Sequence, residues 1–181
     1  MALSRLSSVL PLLFACAALA QAPQRVRGTI EGFDGSTLSV AGSKIQVTHK
    51  TEIVFAQPIA LADLKPGDFL GVTSMKSADG KLIAYEVRRF PKPVNPGHRA
   101  FDGRDDQTMT NATVEAMMQS ASGRELTMTY AGGSAKIVVP ESASVSTLVA
   151  GTRDQLVVGA PVNMTHDASG MALRIQVGPK G

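Results

Sequence analysis

The sequence predicts an all-β protein built from two related modules in tandem. Three observations carry this reading. Strand-like alternation and turn residues run from residue 25 to the end, with scarcely a helical pattern among them. The landmarks of the first half recur in the same order in the second. The single cysteine, Cys16, falls in an N-terminal leader, so ordinary core burial must hold the remainder.

The leader comes first. Residues 1–5 form a short basic start, residues 9–19 an uncharged apolar run, and Ala18-Leu19-Ala20 supplies the small residues that a signal peptidase reads. The run is too short to span a bilayer as a helix. Residues 1–20 are therefore expected to be a signal peptide cleaved near Ala20, leaving a periplasmic or secreted chain. Lipidation at Cys16 is disfavoured, because Phe14 stands where a small residue is needed. Once Cys16 is gone, disulfides and thiolate chemistry go with it. Of 18 Lys and Arg only Arg5 lies in the leader, so 17 bases face 15 acids and no polybasic face is expected. No later stretch is long and apolar enough for a transmembrane segment.

In the first module, residues 26–30 alternate apolar and polar, and Phe33-Asp34-Gly35-Ser36 makes a turn. Residues 38–40 and 44–47 are strands joined at Gly42-Ser43, and residues 53–55 form another. Residues 59–64 offer the one helical turn, with Leu61 and Leu64 on a shared face. Pro66-Gly67-Asp68 turns the chain into a strand at 69–73, and Asp79-Gly80 turns it again into a strand at 82–89. Five or six short strands with a helical turn before the fourth is the element order of an OB-like barrel. Closure of such a barrel would also remove the exposed edges of a small sheet.

The second half repeats the order. Thr29-Ile30-Glu31 resembles Thr113-Val114-Glu115, residues 38–47 resemble 126–139, residues 63–72 match 154–163, and residues 77–84 match 167–174. The expected organisation is a first OB-like barrel over residues 25–90 and a second over 111–178. Residues 91–110 lie between them as a linker or ordered surface loop, since they hold three prolines, two glycines and six charged side chains. Charge is uneven: residues 25–93 carry 10 bases and 7 acids, residues 111–181 carry 5 of each. An electrostatic partner is expected on the first module.

Reactive groups are sparse. There is no Gly-x-Ser-x-Gly elbow, and His49, His98 and His166 sit apart in sequence, so a catalytic activity is not expected. Candidate metal ligands are His98, Asp102, Asp105 and Asp106 between the modules, where one imidazole and three carboxylates could hold a divalent cation. Their spacing fits no calcium loop, and Arg99 and Arg104 oppose a cation. Met164 and His166 form a second candidate set, two apart on a strand and suited to copper; methionine also fills gaps in small cores. Arg25, Arg27, Arg88 and Arg89 gather at strand ends as a candidate patch for an acidic protein, glycan or lipid headgroup. Export argues against nucleic acid, although OB-like barrels commonly bind it. No cofactor is expected. Asn111 and Asn163 open N-x-T triplets, which matter only in a glycosylating host.

Gly28-Thr29-Ile30-Glu31-Gly32, Leu64-Lys65-Pro66-Gly67-Asp68-Phe69 and Gly80-Lys81-Leu82-Ile83-Ala84-Tyr85-Glu86-Val87 resemble a bacterial periplasmic domain family of unknown function. That resemblance implies tandem small β-barrels and brings no catalytic residues. A more distant likeness is to periplasmic copper-binding OB-fold proteins, but the chain lacks Trp and has no Met pair after His49. The functional expectation is a non-catalytic envelope protein that binds a partner protein or other extracytoplasmic ligand. The alternative is a copper- or zinc-handling protein using Met and His.

Overall fold

A computed structural model describes residues 22–121 and 123–180. The expected leader, with Cys16 and the cleavage point near Ala20, lies outside the described residues. The first half forms β1 (Gln24–Phe33), β2 (Thr37–Val40), β3 (Ser43–Gln46), β4 (Glu52–Pro58), a 3-10 turn (Leu61–Asp63), β5 (Phe69–Lys76) and β6 (Leu82–Phe90). There follow β7 (Gly97–Phe101), β8 (Arg104–Ser120), β9 (Gly123–Tyr130), β10 (Gly133–Val139), β11 (Ser144–Ala150), a second 3-10 turn (Arg153–Gln155), β12 (Pro161–His166) and β13 (Ala172–Val177). The all-β expectation holds, with two single 3-10 turns the only helical elements among the described residues.

Local chemistry explains most of these boundaries. Asp34 ends β1 because its carboxylate accepts from the N–H groups of Ser36 and Thr37, at 2.8 and 2.6 Å, which closes the turn into β2. Asp63 does the same for the first 3-10 turn by accepting from the Ala60 N–H at 3.0 Å. The alternation read from sequence places Leu38, Val40 and Ile45 inside, and Leu70, Val72, Ala84 and Val87 inside further on.

The repeat is visible in the pairing. Gly28 lies opposite Val162, and its counterpart Ala112 lies opposite Leu70. Ile30 exchanges backbone hydrogen bonds with Gly159 and Ala160, as Val114 does with Gly67 and Asp68. Even the bulges recur: one at Ile30/Gly32 and its twin at Val114/Ala116, another at Thr73/Ser74 and its twin at Thr165/His166.

Those pairs also overturn the expected boundaries. Residues 25–90 and 111–178 are not two self-contained units, because each copy lends its last two strands to the other. One continuous path runs β10-β9-β8-β5-β6-β11-β4-β13-β12-β1-β2-β3. Within it lie two circuits. The first holds β1, β2 and β3 with β12 and β13, and a Gln46–Met171 bridge joins its ends. The second holds β5 and β6 with β8, β9 and β10, and parallel pairing of Leu82 with Ile137 joins its ends. Each circuit has its own core, and each core mixes the copies. Leu38, Val40 and Ile45 pack with Met164, Ile175 and Val177, while Leu70, Val72 and Val87 pack with Leu126, Met128 and Ile137.

The cause is β4 and its twin β11. Glu52–Pro58 contains no Gly or Asn at which to reverse, so it runs straight for roughly 23 Å. It begins parallel to β13, then pairs antiparallel with β11 from Val54 to Pro58. The chain that follows is thereby delivered to the far circuit. β11 mirrors this, starting parallel to β6 and ending against β4.

The expected linker is likewise mostly strand. Its prolines (Pro91, Pro93, Pro96) precede Gly97, after which β7 and the start of β8 form a hairpin. Asp102 and Gly103 make the turn, both at positive φ (52° and 69°), which is the two-residue geometry that Asp-Gly favours. No helix among the described residues is long and apolar enough to cross a membrane.

Candidate functional site

A groove of about 840 Å³ lies between the two circuits, alongside the crossing of β4 and β11, which contribute Ala56, Pro58, Ser144 and Ser146. Its walls bring equivalent positions of the two copies face to face. Arg25 and Arg27 of β1 line it, as do their counterparts Met109 and Asn111 of β8. Arg88 and Phe90 of β6 line it with their counterparts Gln176 and Gly178. The groove therefore sits on the pseudo-twofold axis relating the copies.

The copies differ in charge there. Arg25, Arg27 and Arg88 come from the first copy and Arg99 from β7, against the carboxylates of Glu86 and Asp102. Arg25 and Arg27 share a face because they are two apart on a strand. Arg27 donates from Nη1 to Asp102 at 2.6 Å, and its guanidinium lies 5.2 Å from the centre of the Phe101 ring. Arg88 bonds Glu86 and also meets its own pseudo-twin: with the Gln176 amide turned so that its oxygen faces the guanidinium, that oxygen accepts from Nη1 and Nη2 at 3.0 and 3.1 Å. Arg99 donates to the Asn95 carbonyl at 3.2 Å. Burial, with Glu86 and Asp102 close by, pushes the Tyr85 phenol above its usual range.

Three polar atoms on this lining are buried with no hydrogen-bond partner among the described residues: Nε of Arg27, Nε of Arg88 and Oδ1 of Asn111. A smaller cavity of about 220 Å³ shares Arg25, Phe90, Asn163 and Gln176 with the groove and adds Arg174.

The expected arginine patch is thus divided. Arg25, Arg27 and Arg88 converge, but Arg89, one residue on, points to the other face of β6. There it approaches Asp68 at 4.0 Å and donates to the Asp63 carbonyl at 3.4 Å. Arg99 joins the groove although it was not expected to. Phe101-Asp102-Gly103-Arg104 carried the hairpin signal that places it, hidden beside a proline-rich stretch.

The candidate metal ligands are scattered, and most are already engaged or buried in the core. His98 shares a hydrogen bond from Nδ1 with the Thr110 hydroxyl at 2.8 Å and stacks on Tyr130 at 6.1 Å. Asp102 is held by Arg27, Asp106 accepts twice from Arg104 at 3.0 and 2.7 Å, and Asp105 is exposed. Met164 is 1% exposed inside the first core. His166 donates from Nδ1 to the Asp167 carbonyl at 2.7 Å. Among the described residues no group of three or more His, Cys, Asp or Glu side chains could hold a metal ion.

Residues 27–88 match a family described as a domain of unknown function, DUF5666. The DUF5666 match begins on β1 and ends on β6, so it covers the first copy and takes in strands of both circuits. Its two end residues, Arg27 and Arg88, both line the groove. No curated protein and no solved structure matches the chain.

Proposed function

We propose that the chain is an exported, non-catalytic binding protein of the cell envelope, and that the groove between its circuits takes an anionic ligand. We read the circuits as OB-like barrels. Numbered by place within a copy, the strands run 1-2-3-6-5 and back to 1; with the crossing fourth strand left out of the count this becomes 1-2-3-5-4, an order that supports this reading. The four guanidinium groups of Arg25, Arg27, Arg88 and Arg99 on one cavity, against two carboxylates, carry the ligand reading. Guanidinium forks recognise carboxylates and phosphates, and a partly enclosed site weakens the screening by water and salt. Among the described residues the lining holds no histidine or cysteine, and an arginine engages each of its carboxylates, which favours binding over turnover.

Tripolyphosphate is a suitable first probe. At concentrations well above its Kd it should raise the melting temperature of the mature chain, because only the folded groove holds the cluster together. The double variant Arg27→Ala, Arg88→Ala should lose the shift while retaining its far-UV circular dichroism. An unmoved melting temperature in the unaltered chain at low salt would refute the anionic reading.

A further inference from the structure

Along residues 24–27 the edge of β1 away from β12 has no strand partner among the described residues, although β2 pairs with that edge further on, and the second copy shows what such a stretch receives. Along residues 108–111, β8 is paired on both sides, with β5 on one edge and β7 on the other. The equivalent stretch of β1, residues 24–27, pairs with β12 on the edge that corresponds to β5. Among the described residues no strand pairs at the place corresponding to β7. β7 lines the groove with Arg99, Ala100 and Phe101, and the groove lies on the axis relating the copies, so the unfilled place opens onto it as well.

Charge indicates what belongs there. In the second copy Arg99 lies opposite Met109. In the first, the residue opposite would face Arg25, which has no carboxylate partner among the described residues. Two residues along stands Arg27, held by the Asp102 carboxylate from the β7–β8 turn. Directly opposed side chains on neighbouring strands share a face, so opposite charges there attract.

The geometry points to β1 as a strand-acceptor site, at which an extended acidic segment of a partner protein adds antiparallel to residues 24–27 and sets its carboxylates on Arg25 and Arg27. Main-chain hydrogen bonds to the open edge supply affinity, and the arginines select the side chains. An incoming carboxylate takes the place of Asp102 on Arg27. The proposal rests on the groove being the binding site and names the class of its ligand.

The chain's own β7 segment supplies the probe, because it already fills the equivalent place in the second copy. A capped peptide of residues 95–103 carrying Arg99→Glu should bind the mature chain, at least tenfold more tightly than the unsubstituted peptide. Methylating alternate backbone nitrogens of the probe should weaken it at least tenfold. Arg25→Ala in the protein should weaken the Glu peptide about tenfold. Binding should also slow amide hydrogen exchange at residues 24–27. Equal binding by the N-methylated peptide, or protection elsewhere than β1, overturns strand addition. Binding of tripolyphosphate without binding of any peptide overturns it too, while leaving the anionic groove intact. Failure of both probes overturns the groove reading with it.

Discussion

Cutting the chain after residue 95 separates the two copies, and the exchanged strands dictate what the pieces do. The fragment of residues 22–95 keeps Ile30, Leu38, Val40, Ile45 and Val47 but loses Leu156, Val162, Met164, Ile175 and Val177 from the same core. Burying a large aliphatic side chain is worth about 1.5–3 kcal/mol, so the loss is on the order of 10 kcal/mol. That is comparable to the whole stability of a typical domain, about 5–15 kcal/mol. The fragment's own β5 and β6 could replace the missing strands only if Glu52–Pro58 bent back on itself, and that stretch has no Gly or Asn at which a tight hairpin could reverse it. Sedimentation and circular dichroism should therefore show fragment 22–95 either unfolded or associated in pairs that trade β5 and β6. Adding fragment 96–180 should restore a folded one-to-one complex. A folded monomer of either fragment would refute the argument, for it would mean that the crossing strands are dispensable.

Other outcomes follow from single groups. Asp102→Asn removes the internal carboxylate from Arg27 and should tighten tripolyphosphate binding severalfold in calorimetry; weaker binding would mean that Asp102 orients the groove instead of occupying it. Met164→Ala should cost about 2–5 kcal/mol in denaturant titration and Met164→Leu under about 1.5, as for a packed core side chain. Cu(I) or Zn(II) should leave the melting temperature unmoved, and a rise with either would revive a metal role for Met164 and His166. Several carboxyls are held below their ordinary value of 3.8: Asp79 to about 2 by the Lys81 ammonium and the Ser77 hydroxyl, Asp106 by Arg104, and Asp34 by the N–H groups of Thr37 and Ser36. Depressed carboxyls stabilise the fold above the unfolded value and lose that contribution as the pH falls through the folded one. Denaturant midpoints should therefore begin to drop as the pH falls past about 4 and continue dropping toward 2, and Asp79→Asn should flatten the lower part of that decline.

Much of this arrangement was legible in the residues, and the part that was not has a physical reason. Strand positions followed from alternation, as at Leu38 and Val40 or Leu70 and Val72, and turns followed from Asp34 and Gly80. The exchange did not. Val72 presents the same apolar face to a β1 of its own copy or to β8 of the other, so the period-two pattern is silent about which copy completes a core. The deciding feature is an absence, the lack of a reversal between Glu52 and Pro58, and absences are easily passed over. The groove suffered similarly. Arg25, Arg27 and Arg88 do line one groove, as residues near strand ends can, whereas Arg99 reaches it from a hairpin that follows a run of prolines, and Arg89 lies on the opposite face because adjacent strand residues alternate.

The contact between Arg88 and Gln176 shows what joining two copies in one polypeptide makes available. Two separate identical chains with this architecture would have to present the same residue to itself at that spot, and guanidinium against guanidinium repels. Linking the copies releases each from its twin, so one can keep the cation while the other evolves an acceptor for it. A site at a centre of symmetry can in this way become polar along one direction and distinguish the two ends of whatever enters it.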